Sequence, residues 1–157
     1  MKKTILLAAL VFALCVTLYA QEQEKEKKAA LGIGAEWNMN SRENFAGGAV
    51  MAFDYALPNS FAVGLNATAS SNFSGITVIE PSALFRWYFL GGYSGFFVQA
   101  DCGAYLILED GEFTAMFLGG LRSGFRVPLK SKFYIEPYGR IGYPFVFGVG
   151  VLAGIKF

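Results

Sequence analysis

The chain has 157 residues, 54% hydrophobic, 17% aromatic and only 16% charged, with no histidine and a formal charge of +1. Soluble domains carry about a quarter charged residues, so this is not an ordinary water-soluble composition. The near-neutral balance leaves no basic footprint for nucleic acid, and the lack of histidine removes the commonest acid/base and metal-binding side chain.

The first twenty residues, MKKTILLAALVFALCVTLYA, read as a cleaved secretory signal peptide. Lys2 and Lys3 form a positive n-region, Ile5 to Leu18 an apolar core, and Ala20 the small residue before the cut. A permanent anchor is disfavoured because the span is short and has no stop-transfer flank. A lipoprotein site at Cys15 is disfavoured by the bulky Leu14 before it. Without Lys2 and Lys3 the formal charge falls to about −1, and Cys102 is the one cysteine left, so no internal disulfide forms. Residues 21–29, QEQEKEKKA, are a charged, solvated spacer.

From residue 30 onward the apolar residues alternate, with glycine and single charges between them, a period of two rather than a spanning helix. Eight strands are predicted: 30–40, 47–57, 61–70, 76–90, 95–108, 113–129, 133–143 and 145–157. Each is close to the ten or so residues that a tilted strand needs to cross a bilayer. Tight turns PNS, GGYS and KSK join strands two to three, four to five and six to seven. The even count puts both termini at the same end as those turns, the arrangement of outer-membrane barrels with periplasmic termini.

Sorted by parity, one face is apolar and carries no charge. It runs from Leu31 and Ile33 through Met51, Phe53, Leu65, Phe85, Ala100, Cys102, Ala104, Phe117, Leu121 and Phe125 to Val149 and Val151. The opposite face carries Glu36, Asp54, Glu80, Asp101 and Glu136 against Arg86, Arg122, Arg126, Arg140 and Lys156, interspersed with glycines. Balanced mid-strand charges suit a narrow interior, where an unpaired ion costs several kcal/mol, and glycine leaves room there for long arginines. The apolar face is therefore read as the exterior. Trp37, Tyr143 and Phe145 fall near one rim, and Tyr55, Phe61, Trp87, Phe89 and Phe133 near the other, as two interfacial aromatic girdles.

Counting from the tight turns sorts the charges into two tiers: Asp54, Arg86, Arg126 and Glu136 nearer the termini, then Glu36, Asp101, Arg122 and Arg140. If Leu129 faces Phe133, Arg126 lies opposite Glu136 and Arg122 opposite Arg140, while Arg86 faces Gln99 or Asp101. Such tiers would form a polar plug; a gated conduit whose pairs exchange partners is the alternative. The segments VIEPSALFR and YIEPYGR repeat Ile-Glu-Pro, so Pro81 and Pro137 are expected to mark bulges that re-aim Glu80 and Glu136.

The eight strands and the alternating end, Val151, Ala153, Ile155 and the terminal Phe157, resemble the small outer-membrane barrels, the OmpA membrane domain, OmpX and the OmpW group. The resemblance covers 30–157. It implies an all-β, closed, eight-stranded antiparallel up-and-down transmembrane barrel, with Val151, Ala153, Ile155 and Phe157 as the signal read by the barrel-insertion machinery. It also implies an outer-membrane location in a diderm bacterium, contact with outer-membrane lipid, and handling by periplasmic chaperones during biogenesis.

The expected function is a monomeric, charge-plugged structural or interaction component without catalysis or cofactor. Lipid-active barrels use a histidine-assisted hydroxyl, which this chain lacks, and Cys102 has no helper. The alternative is a narrow OmpW-like channel for small apolar molecules, supported by inward Ile107, Met116 and Leu118 near the far rim.

Overall fold

The computed structural model describes residues 27–40, 45–89, 92–109, 111–129 and 132–157. The signal peptide expected over 1–20 and most of the spacer, 21–26, lie outside the described residues. Eight antiparallel strands follow in chain order: β1 (Ala29–Asn40), β2 (Ala46–Ala56), β3 (Phe61–Ser71), β4 (Ile76–Tyr88), β5 (Gly95–Glu109), β6 (Glu112–Pro128), β7 (Phe133–Tyr143) and β8 (Phe145–Lys156). They close into an up-and-down barrel, β8 pairing with β1. Each strand end lies within two residues of the sequence-based expectation.

Alternation makes these segments strands, because each has one side for the lumen and one for the outside. Closure then satisfies the main-chain edges. The seam is tied at the ends of the chain: Ala29 N donates to Phe157 O at 3.0 Å, and Phe157 N to Ala29 O at 2.9 Å. Register fixes the barrel's geometry. Stepping across paired residues from Ala29 leads through Tyr55, Val63, Phe85, Ala100, Leu121, Ile141 and Phe147 back to Met39 in β1. That offset of ten residues around eight strands goes with a tilt of roughly 35–45° and a lumen that side chains can fill.

Polarity is inverted relative to a soluble sandwich. Trp37 is 65% exposed on the outside, and Leu65, Phe117 and Val151 are likewise exposed, whereas Asp54, Arg86, Arg126 and Glu136 are fully buried inside. Buried aromatic and aliphatic residues pack around the charges in two clusters. One, around Tyr88, Tyr93, Phe97, Tyr134, Tyr138 and Leu152, begins at the end that holds the termini. The other, Val78, Tyr105, Ile107, Leu118 and Phe145, fills the opposite end.

Two expectations are corrected. Pro81 and Pro137 make no bulge. The β4–β5 register is the same at Ile79↔Leu106 and at Ser82↔Gly103, and the β6–β7 register is the same at Gly124↔Tyr138 and at Val127↔Ile135. Each proline still pairs on its other side, Pro81 with Ala67 and Pro137 with Val151. The missing N–H therefore interrupts one ladder without inserting a residue.

Phe145 does not belong to the outer girdle. It is only 2% exposed and faces the lumen, while Val146 is 49% exposed. The cause is a bulge in β8: Met39 pairs with Phe147 but Asn40 pairs with Phe145, so Val146 is the extra residue and parity flips there.

Candidate functional site

The site is built from residues that alternation turns inward on seven of the eight strands, and the tilt lets their side chains meet across the lumen. At the end holding the termini, Arg86 of β4 reaches Glu136 of β7 with two parallel bonds, Nη1 to Oε2 at 2.9 Å and Nη2 to Oε1 at 2.8 Å. Its Nε also donates to Gln99 at 2.8 Å, and Nη1 to the Tyr88 hydroxyl at 3.0 Å. Arg126 of β6 donates from Nε to Glu136 at 2.6 Å, and from Nη1 and Nη2 to Asp54 of β2 at 3.1 and 2.7 Å. Arg86 approaches Asp54 at 3.5 Å. Two arginines and two carboxylates thus share one buried cluster, with the charge-assisted, forked geometry that partly repays desolvation. Rings cover the guanidinium faces: Phe97 lies 4.0 Å from Arg86, and Tyr134 4.3 Å from Arg126.

A second group sits deeper. Arg140 of β7 donates to Glu80 of β4 from Nη1 at 2.6 Å and Nη2 at 3.1 Å, and to Glu36 of β1. Glu36 also accepts from Tyr138 at 2.8 Å and Asn38 at 3.2 Å. Phe145 stacks 3.9 Å from Arg140, dividing the charges from the apolar cluster at the far end. Arg122 is held more loosely. Its Nε lies 3.6 Å from Asp101, its guanidinium 4.3 Å from the Tyr138 ring, and neither Nε nor Nη1 makes a hydrogen bond. Asp101 instead accepts from Gln99 at 2.7 Å, which links the two groups through Arg86.

Of the ten charged residues singled out from sequence, the structure brings Asp54, Arg86, Arg126 and Glu136 into the first group. It brings Glu36, Glu80 and Arg140 into the second, with Asp101 and Arg122 beside them. Glu80 thus shares Arg140 with Glu36, a grouping the two-tier count left out. Lys156 is buried near the termini, its ammonium 5.9 Å from the Tyr93 ring. Arg122 and Arg140 are directly paired in register, and Arg86 faces Gln99.

Tyr93 was missed. It lies in the β4–β5 turn, where Gly92 and Gly95 take left-handed φ values of 81° and 87°. The turn tucks it under the barrel, where its hydroxyl donates to the Asp54 carboxylate and, at 2.8 Å, to the Asp54 carbonyl. The glycines of GGYS were the available signal; a turn carries no parity from which its inward direction could be read. At Gly32, Gly150 and Gly154 the room that inward glycines provide goes to tyrosine. A Cβ on Gly150 would stand 2.5 Å from the Tyr138 ring, and one on Gly154 2.4 Å from Tyr134.

Outward, Trp37, Tyr143, Tyr55, Trp87, Phe89 and Phe133 are exposed, and Phe61 stacks on Phe85 and Trp87 at 5.3 and 6.4 Å. Val151 and Phe157 are exposed, with Ala153 and Ile155 on the same outer side of β8.

No protein-family model matches the sequence, and no curated protein matches it. Solved structures do. Neisserial surface protein A (NspA) is 14% identical at a TM-score of 0.59, over 82% of this chain and 96% of that one. The N-terminal β-barrel domain of Pseudomonas aeruginosa OprF is 14% identical at 0.58, over 84% and 100%. The de novo designed TMB2.3 is 13% identical at 0.51, over 83% and 94%. At these identities the likeness is one of fold: the chain has the architecture of the small eight-stranded outer-membrane barrels.

Proposed function

We propose that this protein is an integral outer-membrane barrel whose interior ion pairs hold it shut, and that it serves as a structural or interaction component of that membrane without catalysing a reaction. The observation that carries this reading is the set of lumen-crossing contacts, Arg86 to Glu136, Arg126 to Asp54 and Arg140 to Glu36 and Glu80. They occupy the interior at two depths with buried, mutually satisfied charge. The apolar exterior supports lipid as the surrounding medium, because charged side chains on that face would be costly in a bilayer. On this reading residues 1–20 direct export, both termini are periplasmic, and the outward end Val151, Ala153, Ile155 and Phe157 serves recognition by the assembly machinery.

The test is twofold. The protein should fractionate with outer membranes and shift on a gel when boiled, as folded barrels resist detergent until heated. Reconstituted in planar bilayers, it should give no sustained conductance. A persistent open channel would remove the plug from this account while leaving the barrel intact.

A second reading, a narrow route for small apolar molecules, draws on the apolar end formed by Val78, Ile107, Leu118 and Phe145, flanked by half-buried Ile76 and Met116. It requires Phe145 to leave Arg140. Uptake of a hydrophobic dye into proteoliposomes, increased by Phe145→Ala, would favour it.

A further inference from the structure

The outer wall of the barrel is not evenly covered. Between β2 and β5 a hollow of about 510 Å³ opens in it. Its floor is made of small residues, Ala67 of β3 with Pro81 and Ala83 of β4, and Ala67 pairs directly with Pro81. One side is walled by Met51, Phe53 and Leu65, all exposed. Asn66 and Ser82 border the hollow too, but both are buried on the lumen side of the sheet. The side chains that an occupant meets are therefore apolar.

Its depth follows from the strand geometry. Phe61 and Trp87 are paired near the end that holds the termini, where the aromatic girdle lies. Pro81 stands six residues farther along β4. At roughly 3.3 Å per residue and a tilt of about 40°, this is about 15 Å of depth, half of a hydrocarbon core of about 30 Å. With Trp87 at the membrane interface, the hollow reaches from within one leaflet to the centre of the bilayer.

We propose that this hollow is a binding site for one acyl chain of a phospholipid, drawn from the leaflet beside the termini, with its headgroup at the level of Tyr55 and Trp87. The inference rests on the membrane-barrel reading, and it adds a single seated chain to a wall that elsewhere meets passing lipid. Lipid gains nothing hydrophobic by touching this wall, since its chains are as apolar as the protein. Contact is what retains the chain. An unfilled hollow forfeits the dispersion attraction of its lining, and a flexible row of methylenes can follow an irregular recess that is continuous with the apolar exterior.

A second copy of this chain fits poorly. Two upright barrels in one membrane are related by a two-fold axis along the membrane normal, which sets the same face of each against the other. Two hollows would then meet and leave a void between them. An added peptide strand fits poorly as well, because β2, β3 and β4 are paired without a break across the hollow.

The test is native mass spectrometry of the full, folded chain in detergent, titrated with palmitoyl-oleoyl phosphatidylethanolamine. The expected result is saturable retention of one lipid per chain. Ala83→Phe, which fills the hollow, should weaken retention roughly tenfold or more, and Ala67→Leu should weaken it in the same direction. Ala153→Phe, an exposed site on the outer side of β8, should bind as the parent does. If Ala83→Phe does not fold, Ala67→Leu still decides. The proposal is overturned if no lipid is retained saturably, if the hollow-filling variants bind as the parent does, or if Ala153→Phe loses lipid equally. It is also overturned if the parent is a dimer that Ala83→Phe splits, which would give this wall to a second copy. A heat-dependent gel shift on the same samples keeps the readings apart: a folded barrel that retains no lipid refutes the acyl-chain site alone, and a chain with no shift refutes the barrel.

Discussion

Replacing Arg126 with methionine keeps an unbranched apolar stem and removes the guanidinium on which three hydrogen bonds depend, one to Glu136 and two to Asp54. The consequences for the two carboxylates differ. Glu136 keeps the forked contact from Arg86. Asp54 keeps only Tyr93 and an arginine at 3.5 Å, and it lies at zero exposure with no access to water. Removing one partner of a buried pair costs about 3–5 kcal/mol, since the remaining ion is left uncompensated. Adding Asp54→Asn should return about 1–2 kcal/mol of that, because the stranded charge goes with it.

Arg122 is the internal control. It is equally buried but has no forked carboxylate contact: Asp101 lies 3.6 Å away, the Asn66 amide oxygen accepts from Nη2 at 3.0 Å, and the Tyr138 ring covers one face, so Arg122→Met should cost less, about 1–3 kcal/mol. The assay is urea unfolding in lipid vesicles followed by tryptophan emission, which suits a protein whose two tryptophans, Trp37 and Trp87, both face outward. Equal losses for Arg126→Met and Arg122→Met, or a double variant no better than Arg126→Met alone, would refute the reasoning that pairing geometry holds this interior together.

Four further outcomes are expected. Val149→Arg on the outer face should destabilise the protein in lipid by about 2–4 kcal/mol if Val149 lies near the bilayer midplane, and a near-neutral result in the same urea titration would contradict the inverted polarity. Gly150→Val should cost about 1–3 kcal/mol through overpacking against Tyr138, measured as a lower temperature for the gel shift. Tyr93→Phe removes the hydroxyl that Asp54 accepts from and should cost about 1–3 kcal/mol, with Tyr55→Phe on the outside as the unaffected comparison. In a Cys102→Ser background, Val146→Cys should react with a membrane-permeant maleimide while Phe145→Cys stays protected; the reverse would return Phe145 to the outer face.

Strand number, strand limits and the choice of face were legible because each depends on local alternation alone. Glu36 and Trp37, neighbours in sequence, point to opposite sides of the wall, and parity separates them without any knowledge of the fold. The same rule failed where the chain breaks it. A single extra residue, Val146, turned Phe145 inward, and nothing in FVFGVG marks which residue is the extra one. Proline was over-read for a related reason. Pro81 and Pro137 lose a donor wherever they sit, but whether the strand bulges depends on which neighbour that donor would have served, and here the loss falls on one ladder only.

The partners across the lumen were the least legible part, and the reason is geometric. Contacts between adjacent strands, such as Arg126 beside Glu136, follow from a turn and a count. Contacts across the barrel, such as Arg86 with Glu136 or Arg140 with Glu80, depend on the relative height of strands that never touch, and height is set by the register offset accumulated around the whole circle. An offset of ten brings β4 and β7 into range with these charges level. Within that frame the glycines acquire a definite role. Tyr134, Tyr138 and Arg140 on β7 each face a glycine on β8, Gly154, Gly150 and Gly148, in direct register. Large inward side chains on one strand are thus matched by bare backbone on the next, which is how a lumen this narrow holds both its ion pairs and the rings that shield them.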